Sequence, residues 1–260
     1  SLIGPKLGFL AGWTYFVVHI PYLVTKSNNV VVGLGWTFTQ SSIASTLDVR
    51  IFALLGVAIF VGSYLIARGG FNMLGRISSI AGMLSLVMSL LFIVVMAGWV
   101  LFSEQGHTAL ENFSFDNFTP IINVDTFLNM SILVFAVGGI EKIAPYVNEF
   151  EDPHAFTKGI ILCVIMVNVC ALLGTVAMGL MFDSNNIPQD LLTNGAYYAF
   201  QMLGANVGLG NLFVIVYAVV YSFQTFSIIA LSIDAPIRTL LSESNRTYIS
   251  PWFYKQNKNG

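Results

Sequence analysis

The stretch ISSIAGMLSLVMSLLFIVVMAGWVLF, from Ile77 to Phe102, runs for 26 residues without one charged side chain. A helix that crosses a bilayer needs about 20 predominantly apolar residues, so this segment is long enough to span. The rest of the chain has the same character: of its 260 residues 56% are hydrophobic, 13% aromatic and only 9% charged, and the mean hydropathy is +0.77. A soluble domain carries about 25% charged residues. There are too few charges here to cover a water-facing surface, and disorder is excluded by the same shortage. The chain belongs in a lipid bilayer.

Working outward from Ile77–Phe102, six apolar segments can be marked, at about residues 7–37, 47–67, 77–102, 125–149, 155–182 and 209–241. They predict an all-α, polytopic membrane protein with six transmembrane helices in a single transmembrane domain over residues 1–260, with no soluble domain. The first segment is ambiguous, because Lys26-Ser27-Asn28-Asn29 interrupt it. Either the span ends at Thr25 and Lys26 snorkels to the outer interface, or one long tilted helix has a polar middle facing protein or water. Periodicity does not choose between them. In the segment Ile187–Leu203, Leu191-Leu192 followed by Tyr197, Tyr198 and Phe200 reads as a short amphipathic helix on the outer surface, anchored by its aromatics.

Short loops on the cytoplasmic side hold the excess of lysine and arginine. Placing both ends inside puts Lys6, Arg68, Arg76, Lys158, Arg238, Arg246, Lys255 and Lys258 in or beside cytoplasmic segments, against Arg50 outside. A net charge of −2 excludes a nucleic-acid binder that works through a basic surface. Cys163 and Cys170, seven apart in an apolar run, read as small buried hydrophobes. No Gly-x-Ser-x-Gly, His-Glu-x-x-His, P-loop or clustered Cys and His ligands are present. Neither an enzyme nor a bound metal or cofactor is expected.

Ionisable and helix-breaking groups at membrane depth are the functional candidates. In the fourth segment Gly138 and Gly139 are followed by Glu141, Lys142 and Pro145, which makes a poor continuous helix. A broken helix frees backbone groups at the midplane, tolerated where they line a cavity or hold a ligand, as in secondary transporters. The plainer reading is a kinked helix with close-packed glycines and a Glu141–Lys142 pair near the interface. Lys26 and its polar neighbours are the second candidate. Asp234 and Arg238, four apart, read as an ion pair at a helix end, and His19, two residues before Pro21, as a packed histidine.

Several of these stretches resemble one family. Gly4-Pro5-Lys6-Leu7-Gly8-Phe9-Leu10-Ala11-Gly12-Trp13, then Phe135-Ala136-Val137-Gly138-Gly139-Ile140-Glu141 with Asn148-Glu149 and Asp152-Pro153, and finally Asp234-Ala235-Pro236-Ile237-Arg238, are similar to permeases of the amino acid-polyamine-organocation superfamily. The glutamate/GABA antiporter subgroup is the nearest resemblance. It implies that the six segments are the family's third to eighth spans and that the chain, which opens on Ser1, starts mid-protein. The fold would then be part of a LeuT-like inverted repeat needing at least four further spans. The family's third span is long, which favours the long reading of the first helix.

The resemblance also implies roles. Phe135 stands where the family has an aromatic over the substrate. Gly138, Gly139 and Ile140 belong to the unwound segment, Ala136 is a further substrate-binding or gating candidate, and Glu141 closes the motif. Tyr15 and Phe226 stand at aromatic positions facing the site. Lys26 and Lys142 are charge-tuning candidates apart from the resemblance, since Lys142 after Glu141 is not general in the superfamily. The expected function is exchange of an amino acid for an amine or another amino acid in the plasma membrane. A proton-coupled symporter is the alternative, which the absence of lysine from Ile80 to Trp99 weakens. A structural or receptor membrane protein is the competing class.

Overall fold

A computed structural model describes residues 4–43, 46–69, 71–111, 122–124, 127, 130, 153–182, 190–243, 248–250 and 252. Among them the chain forms helices α1 (Pro5–Thr39), α2 (Val49–Ala67), α3 (Phe71–Phe102), α4 (Glu104–Glu111), α5 (Pro153–Met181), α6 (Leu191–Asn206) and α7 (Leu212–Glu243), and no strand. The all-helical fold is the one the composition demands. In α1, α2, α3, α5 and α7 there are stretches long and apolar enough to cross a membrane. Their outward faces are apolar too: Leu54, Val57, Leu65, Met83, Val94 and Leu172 are all exposed. Water would not tolerate so continuous an apolar surface, and lipid does. The expected fourth span, at about 125–149, falls almost wholly outside the described residues. Helix α3 starts at Phe71, six residues ahead of the expected 77, so Arg76 lies within its first turns.

One ambiguity is settled: α1 is a single helix of 35 residues. Pro5 occupies its first turn, where a missing N–H costs nothing. Inside the helix hydroxyls bond back one turn, Thr25 to the carbonyl of Pro21 (3.0 Å) and Ser27 to that of Leu23 (2.9 Å), so they stay satisfied in an apolar medium. Gln40, in the left-handed region at φ 50°, ends the helix by donating its N–H to the Trp36 carbonyl.

The chain divides into two compact units. The first comprises Ser1–Val87 and Val214–Gly260, hence α1, α2, the start of α3 and nearly all of α7. Its core is mostly aliphatic, with Trp36 its largest side chain: Val30, Val31, Val32, Trp36, Leu74, Ala81, Ala218, Ile229 and Ala230 are buried. Helix α2 buries little besides Gly56 and Ser63, seven residues and so two turns apart; Gly56 meets Asn28 of α1 and Ser63 meets α7. Hydroxyls tie the helices together: Ser78 and Ser227 share a 2.9 Å hydrogen bond, and Ser63 donates a longer one, 3.5 Å, to the Phe226 carbonyl. Phe9 stacks on Tyr248 at 5.2 Å.

The second unit, Met88–Phe213, holds the rest of α3 with α4, α5 and α6. Ser103 caps α4, its Oγ accepting from the Gly106 N–H at 2.9 Å. Gly106 lies against the end of α3, where a Cβ would overlap the carbonyl of Trp99. Helix α6 differs from the surface-anchored helix expected for this segment. Tyr197 and Phe200 are buried, and Phe200 sits between Phe92 (4.8 Å) and Phe213 (4.9 Å). These aromatics serve as core, because two rings distant in sequence close over Phe200. The cysteines also depart from expectation: Cys163 is exposed and Cys170 half-buried on α5.

Candidate functional site

The polar interruption of α1 becomes a site once the helix is continuous. Tyr15, His19, Tyr22, Lys26 and Asn29 follow one another in steps of four and three residues, so they share one face over about 21 Å of helix. The side chains touch in series. The rings of Tyr15 and His19 lie 4.3 Å apart, and His19 Nδ1–H donates to the Tyr15 carbonyl at 2.8 Å. His19 meets Tyr22 at 5.7 Å, and the Lys26 Nζ stands 5.4 Å from the Tyr22 ring centre, within cation–π range. His19 is the packed histidine that the sequence suggested, buried between two tyrosines.

Helix α7 supplies the other wall. The Tyr221 hydroxyl is hydrogen-bonded by Asn29 of α1 and by Thr225, and Tyr217 stacks on Tyr221 at 5.7 Å. Tyr217, Tyr221 and Thr225, four residues apart, line one face of α7 over about two turns. Ser222, next to Tyr221, is buried, and its Oγ has no hydrogen-bond partner among the described residues. On the α2 side, Asn28 reaches the bare backbone of Gly56, where a Cβ would stand 3.2 Å from its Oδ1. Polar groups of this density inside a spanning helix are costly unless they face protein or a watery cavity. Their chemistry suits a polar, charged solute: a fixed cation, four phenols, two amides and several hydroxyls. Among the described residues no group of three or more His, Cys, Asp or Glu could hold a metal ion.

The residues named from sequence are distributed as follows. Tyr15 heads the α1 stripe and also borders an apolar furrow of about 640 Å³ with Leu7, Leu10, Ala11, Thr14 and Val18; all six belong to α1, so it is a surface furrow. Lys26 is in the middle of the stripe and half-buried. Phe226 lies at the α2–α7 contact, 3.4 Å from where a Cβ on Gly62 would be. Phe135, Ala136, Gly138, Gly139, Ile140, Glu141 and Lys142 lie outside the described residues. The expected ion pair at the end of α7 is formed, Arg238 Nε donating to Asp234 Oδ2 at 2.7 Å. Asn29 was among the polar neighbours of Lys26 marked from sequence, whereas Tyr22, Tyr217 and Tyr221 were not singled out. The i, i+4, i+7 spacing of Tyr15, His19, Tyr22, Lys26 and Asn29 was the available signal for Tyr22.

The spanning helices and their polar seam define a polytopic membrane protein of the permease type. Residues 1–260 match the amino acid permease family throughout, and the chain belongs to that family, within the amino acid-polyamine-organocation superfamily. It is 40% identical over 258 residues to the aspartate/glutamate permease AcaP of Lactococcus lactis subsp. cremoris (strain MG1363), a match covering 98% of this chain and 53% of that protein. It is 26% identical over 227 residues to the inner membrane transporter YjeM of Escherichia coli (strain K12), covering 79% of this chain and 43% of that one. The chain thus spans about half the length of these curated relatives. No solved structure matches it.

Proposed function

We propose that the chain is the central part of a secondary transporter for acidic amino acids. The observation that carries this reading is its 40% identity, along 98% of its length, to an aspartate/glutamate permease. The seam of α1 and α7 supports it, because a charged substrate crossing lipid needs polar walls to replace its water. The mechanism is alternating access around a break at Gly138–Gly139, whose freed backbone groups would hold the substrate in the outward and inward states alike. Phe135 would cover the substrate, with Ala136 and Ile140 beside it, and Glu141 would couple occupancy to gate position. Lys142 would tune the local charge, and Tyr15 and Phe226 would border the path. Both ends of this stretch face the cytoplasm in this reading, and the membrane is the plasma membrane.

Exchange is the mode we favour over proton symport, since the segment Ile80–Trp99 offers no lysine to carry a proton. The test is counterflow with the full-length protein in proteoliposomes. Exchange predicts that labelled L-aspartate enters only when the lumen is preloaded with an amino acid or amine. Uptake into empty vesicles driven by a pH gradient alone would replace exchange by proton symport.

A further inference from the structure

Four consecutive polar residues, Lys26-Ser27-Asn28-Asn29, sweep about 300° of helix, so no single neighbouring surface can absorb them all. Three are accounted for by this protein's own packing. Ser27 is buried and bonded to the Leu23 carbonyl, Asn28 rests on Gly56 of α2, and Asn29 reaches Tyr221 of α7. Lys26 is different. It is half-buried in the middle of a spanning helix, its ammonium has the face of Tyr22 at 5.4 Å, and no carboxylate lies within ion-pair distance among the described residues. A lysine placed only to anchor a helix reaches an interface, whereas this one is 13 residues, about 20 Å, from the end of α1 at Thr39. It also shares its face with Tyr22 and with Asn29, which reaches Tyr221 of α7.

We infer that Lys26 is the specificity-determining cation for the side-chain carboxylate of the substrate. The inference rests on the transport reading above and adds to it a residue and a selectivity. The α-carboxylate and α-ammonium of an amino acid offset each other's charge. The second carboxylate of aspartate or glutamate needs a positive partner of its own in a low-dielectric site. Tyr22 holds the ammonium by cation–π attraction between substrates, a contact weak enough to be exchanged for a carboxylate. Asparagine, the same shape without the charge, gains nothing from Lys26.

The test uses the full-length protein in proteoliposomes, with L-aspartate and L-asparagine as paired probes, on wild type, Lys26→Gln and Lys26→Arg. Wild type should prefer aspartate. Lys26→Gln should raise the KM for aspartate relative to asparagine by roughly tenfold to a hundredfold, as expected for one charge-assisted contact. Lys26→Arg should keep the aspartate preference, and it still tests the inference should the glutamine variant not fold. An unchanged aspartate-to-asparagine ratio in Lys26→Gln overturns the assignment. So does equal loss of both substrates in a folded Lys26→Gln protein, which would make Lys26 a structural residue. A wild type that carries neither probe refutes the transport reading itself, and is distinguished by needing no variant.

Discussion

Gly56 is where the α1–α2 contact is tightest, and substitutions there test the packing that orients the polar middle of α1. A Cβ at this position would stand 3.2 Å from Asn28 Oδ1. Ordinary contact begins near 3.4 Å, so Gly56→Ala asks the amide to retreat by about 0.2 Å. Asn28 is half-buried and its terminal torsion is soft, so this retreat costs a few tenths of a kcal/mol. Alanine in place of glycine within a helix gains about 1 kcal/mol, which outweighs it. Gly56→Ala should therefore be neutral to slightly stabilising. Gly56→Val adds two methyl groups on top of that Cβ, against the same Asn28 amide, and should cost about 1–3 kcal/mol through overpacking. Removing the obstacle with Asn28→Ala should recover about 1–2 kcal/mol of that cost as a coupling energy in a double-mutant cycle. The assay is equilibrium unfolding of the full-length protein in mixed micelles. A Gly56→Val protein as stable as wild type, or a cycle with zero coupling, would refute this account of the contact.

Further consequences follow from other contacts. At Gly106 the obstacle is the backbone of α3, which cannot move aside, so Gly106→Ala should lower stability by about 2 kcal/mol or more and show as a reduced melting temperature. Asp190 Oδ2 accepts from Asn194 Nδ2 at 2.9 Å and from the Tyr198 hydroxyl at 3.0 Å, so Asp190→Ala removes two charge-assisted hydrogen bonds, one of them to a buried amide, and should cost about 1–3 kcal/mol. Desolvation first, then the hydrogen bond to and charge of Asp190, hold the Tyr198 phenol above its usual range. A raised acid favours the protonated fold. Its contribution is therefore complete below the unfolded phenol value of about 10 and is lost as the pH rises through the folded value. Ultraviolet titration of Tyr198→Phe should lose one late-ionising phenol relative to wild type. The Asp234–Arg238 pair is partly exposed, at 24% and 34%, so Asp234→Asn should change stability by no more than about 0.5 kcal/mol; a larger loss would give the pair a role beyond the helix end. Replacing Glu141 with Gln should alter the pH profile of exchange in liposomes, and an unchanged profile would remove Glu141 from the coupling step.

The membrane class and the all-helical fold were legible because lipid imposes one strong requirement, about 20 apolar residues per span, and Ile77–Phe102 meets it without a charge. The continuity of α1 was not legible from periodicity and was favoured only by the family resemblance. Lys26 to Asn29 break the apolar run, and what permits the helix to continue is tertiary: Gly56 of α2 and Tyr221 of α7 receive two of the four residues. Helix α6 was misplaced for a related reason. Tyr197 and Phe200 have the amphipathic look of interface anchors, and only the arrival of Phe92 and Phe213 makes Phe200 core. On the site, Tyr15 and Lys26 stood out singly by aromaticity and charge. Their common stripe with His19, Tyr22 and Asn29 lay in the spacing, while Tyr217 and Tyr221 had no local signal, since a tyrosine in a spanning segment reads equally as packing.

The central claim, that the complete protein moves acidic amino acids across a membrane, is tested most directly by labelled L-aspartate uptake into proteoliposomes holding the full-length chain and preloaded with L-glutamate. The account predicts saturable uptake that unlabelled aspartate and glutamate suppress and lysine does not. Uptake indistinguishable from protein-free liposomes, or suppressed equally by lysine, would contradict it.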